Sequence, residues 1–134
     1  MINLQIIGHL EQLKHLFDKE GIQVCFFEDE VQALNTVEQK KPVVIILDYK
    51  LRQIETASYI TLLLKANSKS KIIVIADELS DGDILACLIA GARGYQNLKQ
   101  LNNYAVKMIK VINAGEAWVT RRMVAKLLDV LVQK

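Results

Sequence analysis

The apolar run VVIIL at residues 43–47 ends in a carboxylate, Asp48, followed at once by Tyr49 and Lys50. A carboxylate at the mouth of a buried strand costs free energy unless something charges, pairs or modifies it. Asp48 therefore marks a site or the remains of one. Other residues able to do chemistry lead nowhere comparable. His9 and His15 stand six residues apart on an expected helix, too far apart in angle to share a metal, and no Cys or acidic residue sits at ligand spacing. The acidic stretch DELSDGD (77–83) lacks the Glu that ends a calcium loop and reads as a polar loop and helix cap. After the first apolar run, GHLEQL offers one glycine, which speaks against a Gly-rich phosphate loop and so against a nucleotide or flavin enzyme. No metal, cofactor or enzymatic activity is expected.

The elements that must position Asp48 follow from hydrophobic periodicity. Residues 2–7 (INLQII) read as a strand, and residues 9–20 as a helix with Leu10, Leu13, Leu16 and Phe17 on one face, stopped by Gly21. IQVCFF (22–27) is a second strand, and residues 29–40 predict a helix with Val31, Leu34 and Val37 inward before Pro42 breaks it. The run at 43–47 is too continuous to have a wet face and belongs in the middle of a parallel sheet. A helix over 54–66 and a fourth buried strand over 71–76 follow. Asp81 is placed to cap a helix carrying Ile84, Leu85, Leu88 and Ile89, which ends at Gly91. A short fifth strand from Gly94 to Leu98 leads to a helix with Leu101, Tyr104, Ala105, Met108, Ile109 and Ile112 at three- and four-residue spacings.

Such alternation favours an open parallel sheet with helices on both faces, because parallel neighbours need right-handed crossovers. Ligands then gather at the carboxyl ends of the strands, near the point where strand order reverses. Those ends carry Gly8 and His9, Glu28 and Asp29, Asp48, Ala76 and Asp77, and Leu98 and Lys99 in turn.

The five repeats, PVVIILDYKL with its terminal aspartate, and AGARGYQNLK followed by VINAGEAWVT resemble the receiver domain of bacterial response regulators. The tail is most similar to the LuxR/NarL type. The resemblance covers residues 1 to about 120 and implies a CheY-like, flavodoxin-like α/β fold. That fold is a doubly wound five-stranded parallel sheet in the order 2-1-3-4-5, here with an extra helix after residue 120. In receivers the aspartate ending strand three accepts a phosphoryl group from a histidine kinase, and by position that is Asp48. Tyr95 matches the switch aromatic. The remaining supports depart from the pattern. Gly8 and His9 stand where an acidic pair holds magnesium, a hard cation that wants oxygen ligands. Ala76 replaces a Ser or Thr that binds phosphoryl oxygens. Leu98 occupies the place of the closing lysine, and Lys99 is one residue late, an offset that turns a side chain to the other face of an extended segment. Each lost donor of this kind is worth roughly 3 kcal/mol to a charged transition state. Asp48 is then an inherited carboxylate, either paired with Lys50 or Lys99 or wetted at the sheet edge. Tyr95 keeps a packing role beside the last helix.

With 134 residues, 51% of them hydrophobic, and one proline, the chain fits a single compact core. A net charge of +2 is too small to announce nucleic acid, and Arg121, Arg122 and Lys126 read as a solvated helix face. Cys25 on an edge strand and Cys87 on the helix before strand five are expected to be free thiols, as in a reducing compartment. No basic leader precedes a long apolar stretch, and no run approaches the roughly 20 apolar residues of a membrane span, so a cytoplasmic protein is expected. Thr120 can cap a last helix bearing Val124, Leu127, Leu128 and Leu131, giving a receiver-like domain over 1–117 and an extension over 118–134. This helix either folds back or offers its stripe to a partner, with a homodimer as the expected assembly. In the resemblance it stands where the linker to a DNA-binding helix-turn-helix begins, and contact with DNA would need that module, which these residues do not contain. The functional expectation is a pseudo-receiver acting in transcription control through phosphorylation-independent contact with a second copy or another regulatory protein. The alternative is a two-component receiver phosphorylated by a histidine kinase at Asp48.

Overall fold

Five short runs rich in apolar residues form β1 (Ile2–Ile7), β2 (Ile22–Phe27), β3 (Val44–Asp48), β4 (Lys71–Ala76) and β5 (Gly94–Asn97). In the computed structural model, which describes residues 1–18 and 20–133, they pair in the order β2-β1-β3-β4-β5, every neighbour parallel. Val44, Ile45, Ile46 and Leu47 are fully buried, as a central strand covered on both faces requires. Side chains alternate between two core layers. Leu4, Ile6, Val44, Ile46, Ile73 and Ile75 join one, while Ile7, Ile45, Leu47, Ile72 and Val74 join the other. Burying each such side chain contributes about 1.5–3 kcal/mol relative to leaving it in water.

The helices are α1 (Glu30–Lys40), α2 (Thr56–Ala66), α3 (Asp81–Ala90), α4 (Leu101–Asn113) and α5 (Arg121–Val132). α4 seals the first layer with Leu101, Ala105, Met108, Ile109 and Ile112, and the other four helices seal the second. The doubly wound fold is as expected, with one element missing. Among the described residues of 9–20 there is no α-helix, and the helical turn there is 3-10, Glu11–Leu13, closed by bonds from Leu13 N to Leu10 O and from Lys14 N to Glu11 O, both 3.0 Å. Leu10 holds the cap position and has no side-chain oxygen to accept the first N–H groups. Leu10, Leu13 and Phe17 are buried as their spacing predicts, so tertiary packing keeps the segment in place without a helix.

Three further positions differ from expectation. Val31 is 69% exposed, and Ala33 with Val37 carries the inner face of α1. Cys87 takes an inward place on α3, whereas Ile89 faces out. Ser80, not Asp81, caps α3 by accepting the Asp83 N–H at 3.2 Å. Asp81 instead receives Arg122 at 3.0 Å and Lys126 at 3.4 Å, surface ion pairs in which both cations stay exposed, as a solvated face requires.

The tail is built onto the sheet. A Cβ on Gly94 would stand 2.8 Å from the Trp118 carbonyl oxygen and 2.9 Å from its Cβ, so only glycine lets the two backbones approach. Trp118 bridges the outer edge of β5 in parallel, its N–H donating to Arg93 O at 3.0 Å while Tyr95 N donates to Trp118 O at 3.1 Å. Its indole Nε1 donates to the buried Gln96 Oε1 at 2.9 Å. Thr120 caps α5 by accepting the Met123 N–H at 3.2 Å, and the buried Met123 anchors that helix on its own domain. Leu127, one turn further on, is half-buried. Val124, Leu128 and Leu131 do face solvent. Cys25 is exposed and Cys87 buried, both as free thiols. Among the described residues no helix is long and apolar enough to cross a membrane.

Candidate functional site

The parallel register sets Leu47 of β3 opposite Ile7 of β1, so the next residues, Asp48 and Gly8, meet where strand order reverses. This is the crevice in which such sheets place their ligands. Asp48 is only 7% exposed. Among the described residues no lysine pairs with it, and main-chain donors reach the carboxylate instead. Oδ1 accepts the Lys50 N–H at 3.0 Å, which caps the 3-10 turn Tyr49–Leu51, and Oδ2 accepts the His9 N–H at 3.3 Å. The Lys50 side chain is exposed, and Lys99 pairs with Glu78 at 3.6 Å.

Gly8 adopts a φ of +132°, and a Cβ there would overlap the Cβ of Asp48 and stand 3.0 Å from its Oδ2. The backbone at the end of β1 thus comes too close to Asp48 for any side chain. His9 contributes its N–H only; its ring lies 3.3 Å from Glu28 on the surface. A cavity of about 280 Å³ opens over Asp48, lined also by Lys50, Gln53, Ala76, Asp77 and Leu98. Ala76 and Leu98 present alkyl groups to it. Lys99, carried round by the 3-10 turn Leu98–Gln100, does not line it.

Gln53 is a wall residue that sequence reading missed, and its φ of +49° in a non-glycine residue leaves no compositional mark. The loop holding it is pinned by its neighbour. Arg52 Nη1 donates to Glu30 at 2.7 Å and Nη2 to Glu55 at 3.1 Å, with the guanidinium 5.7 Å from the Tyr59 ring centre. Tyr59 in turn donates to the Glu30 carbonyl at 2.6 Å. Partners 22 and 29 residues apart carry no spacing signal. Among the described residues no cluster of His, Cys, Asp or Glu is arranged to hold a metal.

A family model described as the response regulator receiver domain matches residues 8–112 of the chain. The chain belongs to that family. Similar solved structures include a LuxR-family two-component response regulator from Aurantimonas sp. SI85-9A1, 15% identical over 97% of each chain with a TM-score of 0.78. The isolated receiver domain of RcsB from Salmonella enterica serovar Typhimurium is 18% identical over 96% of this chain and 99% of its own, with a TM-score of 0.82. The response regulator domain of Thermotoga maritima CheB is 16% identical over 87% of this chain and 98% of its own, with a TM-score of 0.72. At these identities the likeness is one of fold alone. No curated protein matches the chain in sequence.

In this receiver domain Tyr95 sits at the junction of β4, β5 and the tail. Its hydroxyl donates to the Ala76 carbonyl at 3.2 Å, and its ring packs in the layer that holds Val119 and Met123. Burial pushes its pKa up, opposed by a main-chain hydrogen bond at Leu79 and assisted by the negative charge of Asp77.

Proposed function

We propose that this receiver domain works without phosphate at Asp48, as a contact module in signal transduction and transcription control. The observation that carries the reading is the missing space at the end of β1, where a side chain on Gly8 would collide with Asp48. Magnesium needs several oxygen ligands. Gly8 offers no side-chain oxygen, the His9 ring faces Glu28, and so these residues do not fit the cation. With Ala76 and Leu98 at the cavity wall, a phosphoryl group on Asp48 would lack a hydroxyl donor and a closing cation as well. Asp48 then serves the fold, holding the ends of β1 and β3 together through the His9 and Lys50 N–H groups.

In this reading residues 1–117 form the receiver unit and 118–134 an extension. The domain self-associates in the cytoplasm, and contact with DNA would need a helix-turn-helix module. One observation favours a second reading: the cavity reaches Asp48, so a small phosphodonor has access. A histidine kinase would then be the partner. Incubation with magnesium and a small phosphodonor, followed by intact mass, separates the two. The first reading expects no phosphoryl adduct, and an adduct lost on Asp48→Asn would establish the second.

A further inference from the structure

We propose that a cavity of about 280 Å³ between α1 and the amino-terminal halves of β1 and β2 binds one half of a small peptide-like disulfide and places it for exchange with the Cys25 thiol. The parallel register sets Asn3 opposite Gln23 and Gln5 opposite Cys25, and by alternation all four point to the same side as Ile7 and Phe27. Toward the carboxyl ends of these strands that face is apolar. Toward the amino ends it carries three carboxamides and a thiol. All four residues line the cavity, which α1 borders with Thr36 and Lys40. The cavity over Asp48 lies at the other ends of the strands and shares no lining residue with this one.

Gln5 carries the argument for a ligand. Its side chain is 2% exposed, its Nε2 donates to the Ala33 carbonyl at 2.9 Å, and among the described residues its Oε1 accepts no hydrogen bond. A buried amide oxygen without a donor costs free energy that a leucine in its place would not. A ligand N–H in the cavity supplies the donor. The Thr36 hydroxyl already donates to the Gln32 carbonyl at 2.9 Å, which leaves its oxygen to accept as well. Asn3 and Gln23 offer both donors and acceptors, as a peptide group requires. Lys40, in a lining without an acidic residue, calls for a carboxylate. Cys25, exposed and free, brings the sulfur. An N–H, a peptide group, a carboxylate and a reactive sulfur together describe a small peptide-like thiol in its disulfide form. The volume lies just below the roughly 300–1,000 Å³ of pockets for drug-sized ligands, so it suits one such half.

The step is thiol–disulfide exchange. Deprotonated Cys25 attacks one sulfur of the bound disulfide, whose S–S bond breaks as the new one forms. The departing half leaves as a thiolate and takes up the proton that Cys25 released to water. One disulfide is lost and one gained, so the small disulfide is the oxidant, and an excess of the small thiol reverses the step.

Glutathione disulfide serves as the probe, and cystamine, which has ammonium groups in place of peptide and carboxylate, as the comparison. Thiolation of Cys25 in the 134-residue chain is followed by peptide mass at fixed pH. The rate should saturate with glutathione disulfide. At low concentration its ratio to the cystamine rate should be at least about tenfold higher in the folded chain than in urea, where intrinsic thiol chemistry alone remains. Lys40→Glu and Gln5→Met should each lower the folded ratio at least about threefold with the native circular dichroism retained. A rate linear in concentration, with the same ratio folded and unfolded, would show a merely exposed thiol and overturn the proposal. Saturation indifferent to both substitutions would place the binding elsewhere and overturn it equally. Should Gln5→Met fail to fold, Lys40→Glu, at an exposed position, decides alone.

Discussion

Substituting Gly8 by alanine isolates the feature on which the functional reading depends. The change adds one methyl group at a φ of +132°, where L-residues are rarely found, and directs it onto the Cβ of Asp48. A positive φ costs a non-glycine residue about 1–2 kcal/mol. Relieving an overlap in a packed site costs about 1–3 kcal/mol through shifted backbone and side chains. The expected loss is therefore about 2–5 kcal/mol, a large part of the 5–15 kcal/mol typical of a domain. Urea unfolding followed through Trp118, the only tryptophan, reads it directly. The two contributions separate in a double-mutant cycle with Asp48→Gly, which removes the colliding Cβ. The collision should appear as about 1–3 kcal/mol of coupling, while the φ cost persists in both backgrounds. A Gly8→Ala variant within about 0.5 kcal/mol of the parent, or one equally costly with and without the Asp48 side chain, would refute the reasoning. Rebuilding an acid at this position with Gly8→Asp meets the same collision and adds a like charge beside Asp48.

Two further outcomes follow from the tail and the buried thiol. Gly94→Val should force Trp118 off the β5 edge, seen as a red shift of its emission and faster proteolysis after residue 116 while the sheet keeps its circular dichroism; unchanged emission would mean that the close approach is not limiting. Cys25 should react at once with a thiol reagent, and Cys87 only on unfolding. Burial pushes the Cys87 thiol up to about 11, so its contribution to stability is complete below the unfolded-state value near 9 and is lost as pH rises through 11. Cys87→Ala should flatten that part of the alkaline limb, and an unaltered limb would assign the loss elsewhere.

The parallel sheet and the place of Asp48 are legible because each depends on local runs, whereas the strand order is what the receiver resemblance implies: VVIIL and KIIVIA are too apolar for a wet face, and the residue after a buried strand must lie at its mouth. The segment from His9 to Asp18 was misread because leucine spacing reports burial, and burial by α4 does not require a helix. The charge partners were misread for a related reason. Lys50 follows Asp48 closely in sequence and Lys99 stands at the carboxyl end of β5, yet a carboxylate at a turn takes the nearest main-chain N–H, and Glu78 holds Lys99 from a separate loop. Arg52 with Glu30, and Trp118 with Gly94, are long-range pairs whose existence depends on the folded geometry alone.

The central claim is tested most directly by titrating the ¹⁵N-labelled chain with beryllofluoride and magnesium and following its amide spectrum. The account predicts no saturable shift at His9, Lys50 or Tyr95, the residues whose main chain or ring would report a phosphoryl group on Asp48. A saturable, magnesium-dependent shift at these amides that disappears in Asp48→Asn would contradict it.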